Sequence, residues 1–138
     1  MQDIRKPIVV LDFGAQYSKL IARRVRELNV YSAIVPFNIT AAALRDMAPA
    51  GIILSGGPAS VHQEGSPKPD AEIFSLGIPV LGICYGTQLF AHLLGGKVIR
   101  AERREYGIAH LEHNAAGGLL AGMSSPTQVW MSHGDHIE

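Results

Sequence analysis

The stretch Pro79-Val80-Leu81-Gly82-Ile83-Cys84-Tyr85-Gly86-Thr87-Gln88-Leu89-Phe90-Ala91-His92-Leu93-Leu94-Gly95-Gly96 decides the fold of this chain. Its first half is a short apolar run broken by a Gly-x-Cys-x-Gly turn. Its second half, Thr87 to Leu94, reads as a helix that stops at Gly95-Gly96. A strand that feeds a helix through small residues is a nucleophile elbow, here with a thiol in place of the usual hydroxyl. Gly82 and Gly86 suit it, because such a turn is strained and neighbouring backbone passes close by. A helix start also aims free amides and partial positive charge at the sulfur, which favours thiolate. A lone cysteine is more often a buried structural residue. Strand, glycines and helix together argue for a reactive Cys84.

Strand and helix patterns alternate on the N-terminal side of this elbow. Ile8-Val9-Val10-Leu11 is a fully apolar run, read as a buried parallel strand, that ends at Asp12-Phe13-Gly14. From Gln16 to Leu28, Tyr17, Leu20, Ile21, Val25 and Leu28 keep helical spacing, with Arg23, Arg24, Arg26 and Glu27 on the wet side. Ser32-Ala33-Ile34-Val35 is a second strand, and Thr40 caps a short helix through Met47. Gly51-Ile52-Ile53-Leu54 is a third buried strand, opening into Ser55-Gly56-Gly57-Pro58, and Asp70 to Leu76 suits a short helix. After the elbow, Lys97-Val98-Ile99-Arg100 reads as a further strand. Tyr106 to Glu112 and Thr127 to Ser132 read as antiparallel strands joined by the Gly-rich stretch Ala115 to Gly122. His133 to Glu138 reads as a polar loop. The alternation implies right-handed βαβ crossovers. The expected fold class is α/β: an open, mostly parallel, doubly wound sheet of flavodoxin or Rossmann type, with antiparallel strands toward the C-terminus.

Length and charge bound the function. The 138 residues suit one domain with a real core, and no repeat or low-complexity segment is present. Lys and Arg total 12, as do Asp and Glu, so the formal charge is zero. That argues against nucleic acid or an anionic membrane as partner, since both call for a basic excess. One cysteine cannot form an internal disulfide, which fits a reducing cytoplasm. Met1 to Lys6 leads into too few apolar residues for a signal peptide or membrane span, so a cytoplasmic chain is expected.

The second chemical element is Ser55-Gly56-Gly57-Pro58. It follows a strand, so in a parallel sheet it lies at the carboxyl edge, as Cys84 does. Paired glycines let backbone amides point into a cleft as an anion nest. Beside a thiolate, those amides and the Tyr85 amide can form an oxyanion hole for a tetrahedral acyl intermediate. The bland reading of a lone Gly-Gly-Pro is a tight turn. No Gly-x-x-x-x-Gly-Lys-Ser/Thr occurs, which argues against a nucleotide loop.

Gly82-Ile83-Cys84-Tyr85-Gly86-Thr87-Gln88 and Ser55-Gly56-Gly57-Pro58 resemble the nucleophile and oxyanion motifs of class I (triad) glutamine amidotransferases. Leu11-Asp12-Phe13-Gly14-Ala15-Gln16-Tyr17, Gly57-Pro58-Ala59-Ser60-Val61 and Val129-Trp130-Met131-Ser132-His133-Gly134-Asp135 resemble, more narrowly, the GMP-forming branch of that family. The likeness runs along essentially the whole chain. Ala15 and Thr87 depart from the branch's usual Ser and Met. The resemblance implies that Cys84 attacks the side-chain amide of glutamine, with the backbone of Gly57 and Tyr85 as oxyanion hole. It implies that Gly56, Gln88, Ser132, His133 and Asp135 hold the L-glutamine. No metal or cofactor is expected in this chain. Ammonia would pass to an ATP pyrophosphatase (synthase) domain or subunit, which holds ATP and Mg2+ and converts XMP to GMP.

The family's general base is a His in a Gly-x-Gln-Phe-His-Pro-Glu segment downstream, and this chain has none. His92 would lie about 12 Å along the helix from Cys84, at 1.5 Å per residue, too far to serve. His110 and His113 read as solvated residues of a mixed strand, and His133 belongs to the substrate loop by resemblance. His136-Ile137-Glu138 spells His-x-Glu but lacks the flanking Gln-Phe and Pro. The expectation is therefore an amidotransferase domain over residues 1–138, incomplete at its C-terminus, inactive alone, with any oligomer formed through the missing part. A cysteine hydrolase or peptidase of similar fold, and a non-catalytic docking or regulatory module, are the competing readings.

Overall fold

The computed structural model describes residues 6–14, 16–57, 61–114 and 118–137, without the side chains of 100–106 and 131–136. The chain divides into two compact units, one through Val98 and a second, Ile99–His136.

The first unit is built on four parallel strands. They are β1 (Ile8–Asp12), β2 (Ser32–Pro36), β3 (Gly51–Leu54) and β4 (Val80–Gly82), in the order β2-β1-β3-β4. Helix α1 (Ser18–Glu27) connects β1 to β2, α2 (Ala41–Asp46) connects β2 to β3, and a 3-10 helix, Ala71–Ser75, precedes β4. Helix α3 (Tyr85–Leu93) leaves β4. The path runs outward from β1 to β2, then returns past β1 to β3. That reversal puts the connections on opposite faces of a doubly wound sheet.

Alternation along the strands supplies both faces. Val9, Leu11, Ile52 and Leu54 join Leu44 of α2, Ile73, and Leu89 of α3 in one buried cluster. Val10 and Ile53 join Ala22 of α1 in the other, with Ile21 and Val25 packed against it. Burial of one such aliphatic side chain is worth about 1.5–3 kcal/mol, so the sheet is held from both sides. The six-residue α2 is too short to persist alone. The Thr40 hydroxyl caps it, accepting from the Ala43 amide at 3.1 Å.

The second unit is a two-stranded antiparallel sheet of β5 (Val98–Leu111) and β6 (Thr127–Ile137). Three expectations are corrected here. Lys97 to Arg100 and Tyr106 to Glu112 are not separate strands, because one ladder runs through the whole of β5. The stretch from His133 is not a loop, because pairing extends β6 to Ile137. Backbone pairing with a partner strand overrides the polar, glycine-containing composition that suggested a turn. The helix after the elbow begins at Tyr85 rather than Thr87. No described helix is long and apolar enough to cross a membrane.

Candidate active site

Three strand ends of the first unit meet at one cavity of about 400 Å3, lined by Gly14, Gln16, Tyr17, Gly56, Gly57, Ile83 and Cys84. These residues follow β1, β3 and β4, at the carboxyl edge and at the point where the chain reverses its winding. Clefts in such sheets form there because the loops of oppositely wound halves diverge.

Ile83 and Cys84 link β4 to α3, and Cys84, immediately before the helix, is exposed. Its backbone sits at φ 56°, ψ −118°, in a region that favours glycine. The turn is pinned on both sides: the Ile83 amide donates to the Leu54 carbonyl at 2.9 Å, and the Gly86 amide donates to the Ile83 carbonyl at 3.0 Å. The elbow leaves no space for a side chain at its flanks. A Cβ on Gly82 would sit 2.6 Å from the Thr87 Cα, and one on Gly86 would collide with the Leu54 carbonyl oxygen.

The first turn of α3 accounts for most of its amides. Those of Thr87 and Gln88 donate to the Cys84 carbonyl at 3.0 and 3.3 Å. The Tyr85 amide is at the first helical position, where no intrahelical acceptor exists. Its side chain turns into the core: the ring lies edge-on to Phe13 at 5.8 Å and the hydroxyl donates to the Pro67 carbonyl at 2.7 Å. Burial pushes the phenol pKa up. Only the backbone of Tyr85 is left for the cleft.

Gly56 brings the loop after β3 against the thiol. A Cβ there would stand 3.2 Å from the Cys84 Cβ and 3.8 Å from its Sγ. Gly57, next along, lies against the Phe13 carbonyl. Cys84, Gly56 and Gly57 thus share one cavity, while Gln88 stands one turn along α3 and is not part of its lining. Ser132, His133 and Asp135 lie on β6 in the second unit, and their side chains lie outside the described ones, as does that of His136. Ala15, Pro58, Ala59, Ser60 and Glu138 also lie outside the described residues. His92 is on α3, and no histidine lines the Cys84 cavity among the described residues. His113 closes the second unit's turn, its amide donating to Ser125 Oγ at 3.0 Å. No group of three or more metal-ligating side chains occurs among the described residues.

Gly14, Gln16, Tyr17 and Ile83 are the lining residues that sequence reasoning did not place. Their position after a parallel strand was the available signal, since clefts in such sheets form outside the carboxyl ends of the strands.

Comparison with known proteins fits this geometry. The family described as glutamine amidotransferase class-I matches residues 9–138. The GMP synthase [glutamine-hydrolyzing] of Natranaerobius thermophilus is 59% identical over 134 residues, covering 97% of this chain and 26% of that protein. That of Aquifex aeolicus is 52% identical over 133 residues, covering 96% and 26%. The chain therefore spans about a quarter of the length of these curated relatives. Among solved structures, a putative GMP synthase subunit from Thermoplasma acidophilum superposes with a TM-score of 0.83 at 30% identity, covering 99% of this chain and 68% of that one. A glutamine amidotransferase from Thermotoga maritima shares the fold, with a TM-score of 0.72 at 19% identity over 97% of this chain and 63% of that one.

Proposed function

The chain belongs to the class I glutamine amidotransferases, and from that membership we propose that it hydrolyses the side-chain amide of glutamine through a thioester on Cys84. The observation that carries the proposal is the shared cavity of an exposed, strained thiol and the Gly56-Gly57 backbone.

The thiolate attacks the amide carbon and forms the Sγ–C bond, moving the carbonyl electron pair onto oxygen. The amides of Gly57 and Tyr85 hold that oxyanion. The C–N bond then breaks, the leaving nitrogen takes a proton and departs as ammonia, and a γ-glutamyl thioester remains. Water adds to the thioester, the C–S bond breaks, and glutamate and thiol are restored. We assign glutamine recognition to Gly56, Gln88, Ser132, His133 and Asp135, and proton transfer to a group outside the described lining. Ammonia passes to an ATP pyrophosphatase domain or subunit that holds ATP and Mg2+ and converts XMP to GMP. The names of the relatives support that destination.

The test uses the full-length protein. Gly57→Val places a branched side chain against the Phe13 carbonyl, where even a Cβ would stand at 2.7 Å. Glutamine hydrolysis should fall about a hundred- to a thousand-fold, the usual effect of losing one oxyanion donor, while alkylation of Cys84 persists. Normal glutaminase activity in Gly57→Val removes this loop from the mechanism.

A further inference from the structure

A buried polar network adjoins residues that line the cavity, and none of its hydroxyls takes part in the chemistry proposed above. Ser18, the first residue of α1, and Ser55, the residue after β3, are buried at 2% and 0% exposure. Their hydroxyl oxygens lie 3.3 Å apart. Ser18 donates to Asp12 Oδ1 at 3.0 Å, and the same carboxylate oxygen accepts the Gly14 amide at 2.9 Å. Ser55 Oγ accepts the Phe13 amide at 3.2 Å and lies 3.2 Å from the Gly56 carbonyl oxygen. Each hydroxyl has one proton and two lone pairs. With Ser18's proton on the carboxylate, Ser55's single proton goes either to Ser18 Oγ or to the Gly56 carbonyl, so those two contacts share one hydrogen. Asp12 Oδ1 anchors the chain by accepting from both the Ser18 hydroxyl and the Gly14 amide.

The network joins the turn after β1, the start of α1 and the turn after β3. Phe13 is held between the two turns. Its amide is bound by Ser55, and its carbonyl faces Gly57 so closely that an added Cβ would be 2.7 Å away. Moving Ser55 or the Asp12 turn therefore moves the surface on which Gly57 rests.

We propose that Ser18, bridging Asp12 and Ser55, is a positioning residue for the oxyanion loop, setting where the Gly57 amide stands relative to Cys84. The proposal rests on the assignment of Gly57 as an oxyanion donor. Ser18 touches no reacting atom; it acts through Ser55 and Phe13.

Two reactions of the same thiol separate positioning from general structure. Alkylation by a haloacetamide is a displacement at saturated carbon and makes no oxyanion, whereas glutamine hydrolysis needs one. In the full-length protein, Ser18→Ala should lower kcat for glutamine hydrolysis about ten- to a hundred-fold, as expected when a donor is misplaced and not lost. KM and the rate of Cys84 alkylation should stay unchanged. Ser18→Thr, which keeps the hydroxyl, should recover most of the loss, and Ser55→Ala should reproduce the Ser18→Ala pattern. The proposal is overturned if Ser18→Ala keeps full kcat, or if alkylation falls in step with hydrolysis. Cys84→Ser is measured in parallel. If it still hydrolyses glutamine, the reading of the site itself fails. If it is inactive while Ser18→Ala is normal, only the positioning role fails.

Discussion

At Cys84, strain and exposure have the same origin. The residue lines the cleft from a two-residue link between β4 and α3, in which it takes φ 56° with ψ −118°. A side chain in such a region costs of order 1–3 kcal/mol, offset by the packing around it. Two substitutions isolate the strain. Cys84→Ala removes the sulfur and keeps the Cβ, whereas Cys84→Gly removes both. Chemical denaturation should show Cys84→Gly more stable than Cys84→Ala by about 1 kcal/mol, even after glycine's entropy in the unfolded chain is charged against it. Equal stability, or a more stable alanine variant, would mean that the elbow stores no strain. This much was legible in the sequence, because Gly82 and Gly86 bracket the cysteine and the structure leaves no space for a side chain at either. The hydroxyls of Ser18 and Ser55 were not legible. A serine at a helix start or after a strand is ordinary, and only the three-dimensional approach of β1 and β3 brings this pair within 3.3 Å.

Among the elements, α2 shows how a short helix is kept in place. Asp70 takes the Ala41 amide on Oδ2 at 2.9 Å and the Glu72 amide on Oδ1 at 3.0 Å, so one carboxylate caps α2 and the 3-10 helix together. These amides, Ala41 first, hold the Asp70 pKa below the ordinary value of 3.8. A lowered folded-state pKa means that the contribution to stability is present above 3.8 and is lost as pH falls through the folded value. Asp70→Ala should therefore lower the thermal midpoint at neutral pH, and the gap from wild type should close in acid. A gap of constant size down to low pH would show that the carboxylate's charge is not what holds the two elements. Thr40 as the cap of α2 was visible from sequence, because a hydroxyl before a helical pattern is a local signal. Asp70's second role was not, since its partner is 29 residues away. The end of β6 was misread for a related reason: a strand is made by its partner, and His133 to Ile137 carry too little strand propensity to announce the pairing.

At the scale of the molecule, the parallel sheet brings the turns after β1, β3 and β4 to one edge, where they line a single cavity with the thiol among them. That architecture could be read in advance, because fully apolar runs alternating with amphipathic ones leave few topologies for a right-handed chain. The complete lining could not, since Gln16 and Tyr17 look like the start of a helix until the fold brings them to the cleft. The central claim is that Cys84, in this cavity, is the residue that glutamine meets. It is tested most directly by treating the full-length protein with a glutamine-like chloro ketone or diazo ketone, with and without free glutamine, and mapping the adduct by peptide mass. The account predicts one adduct, on Cys84, whose formation glutamine suppresses. An adduct elsewhere, or labelling of Cys84 that glutamine leaves untouched, would contradict it.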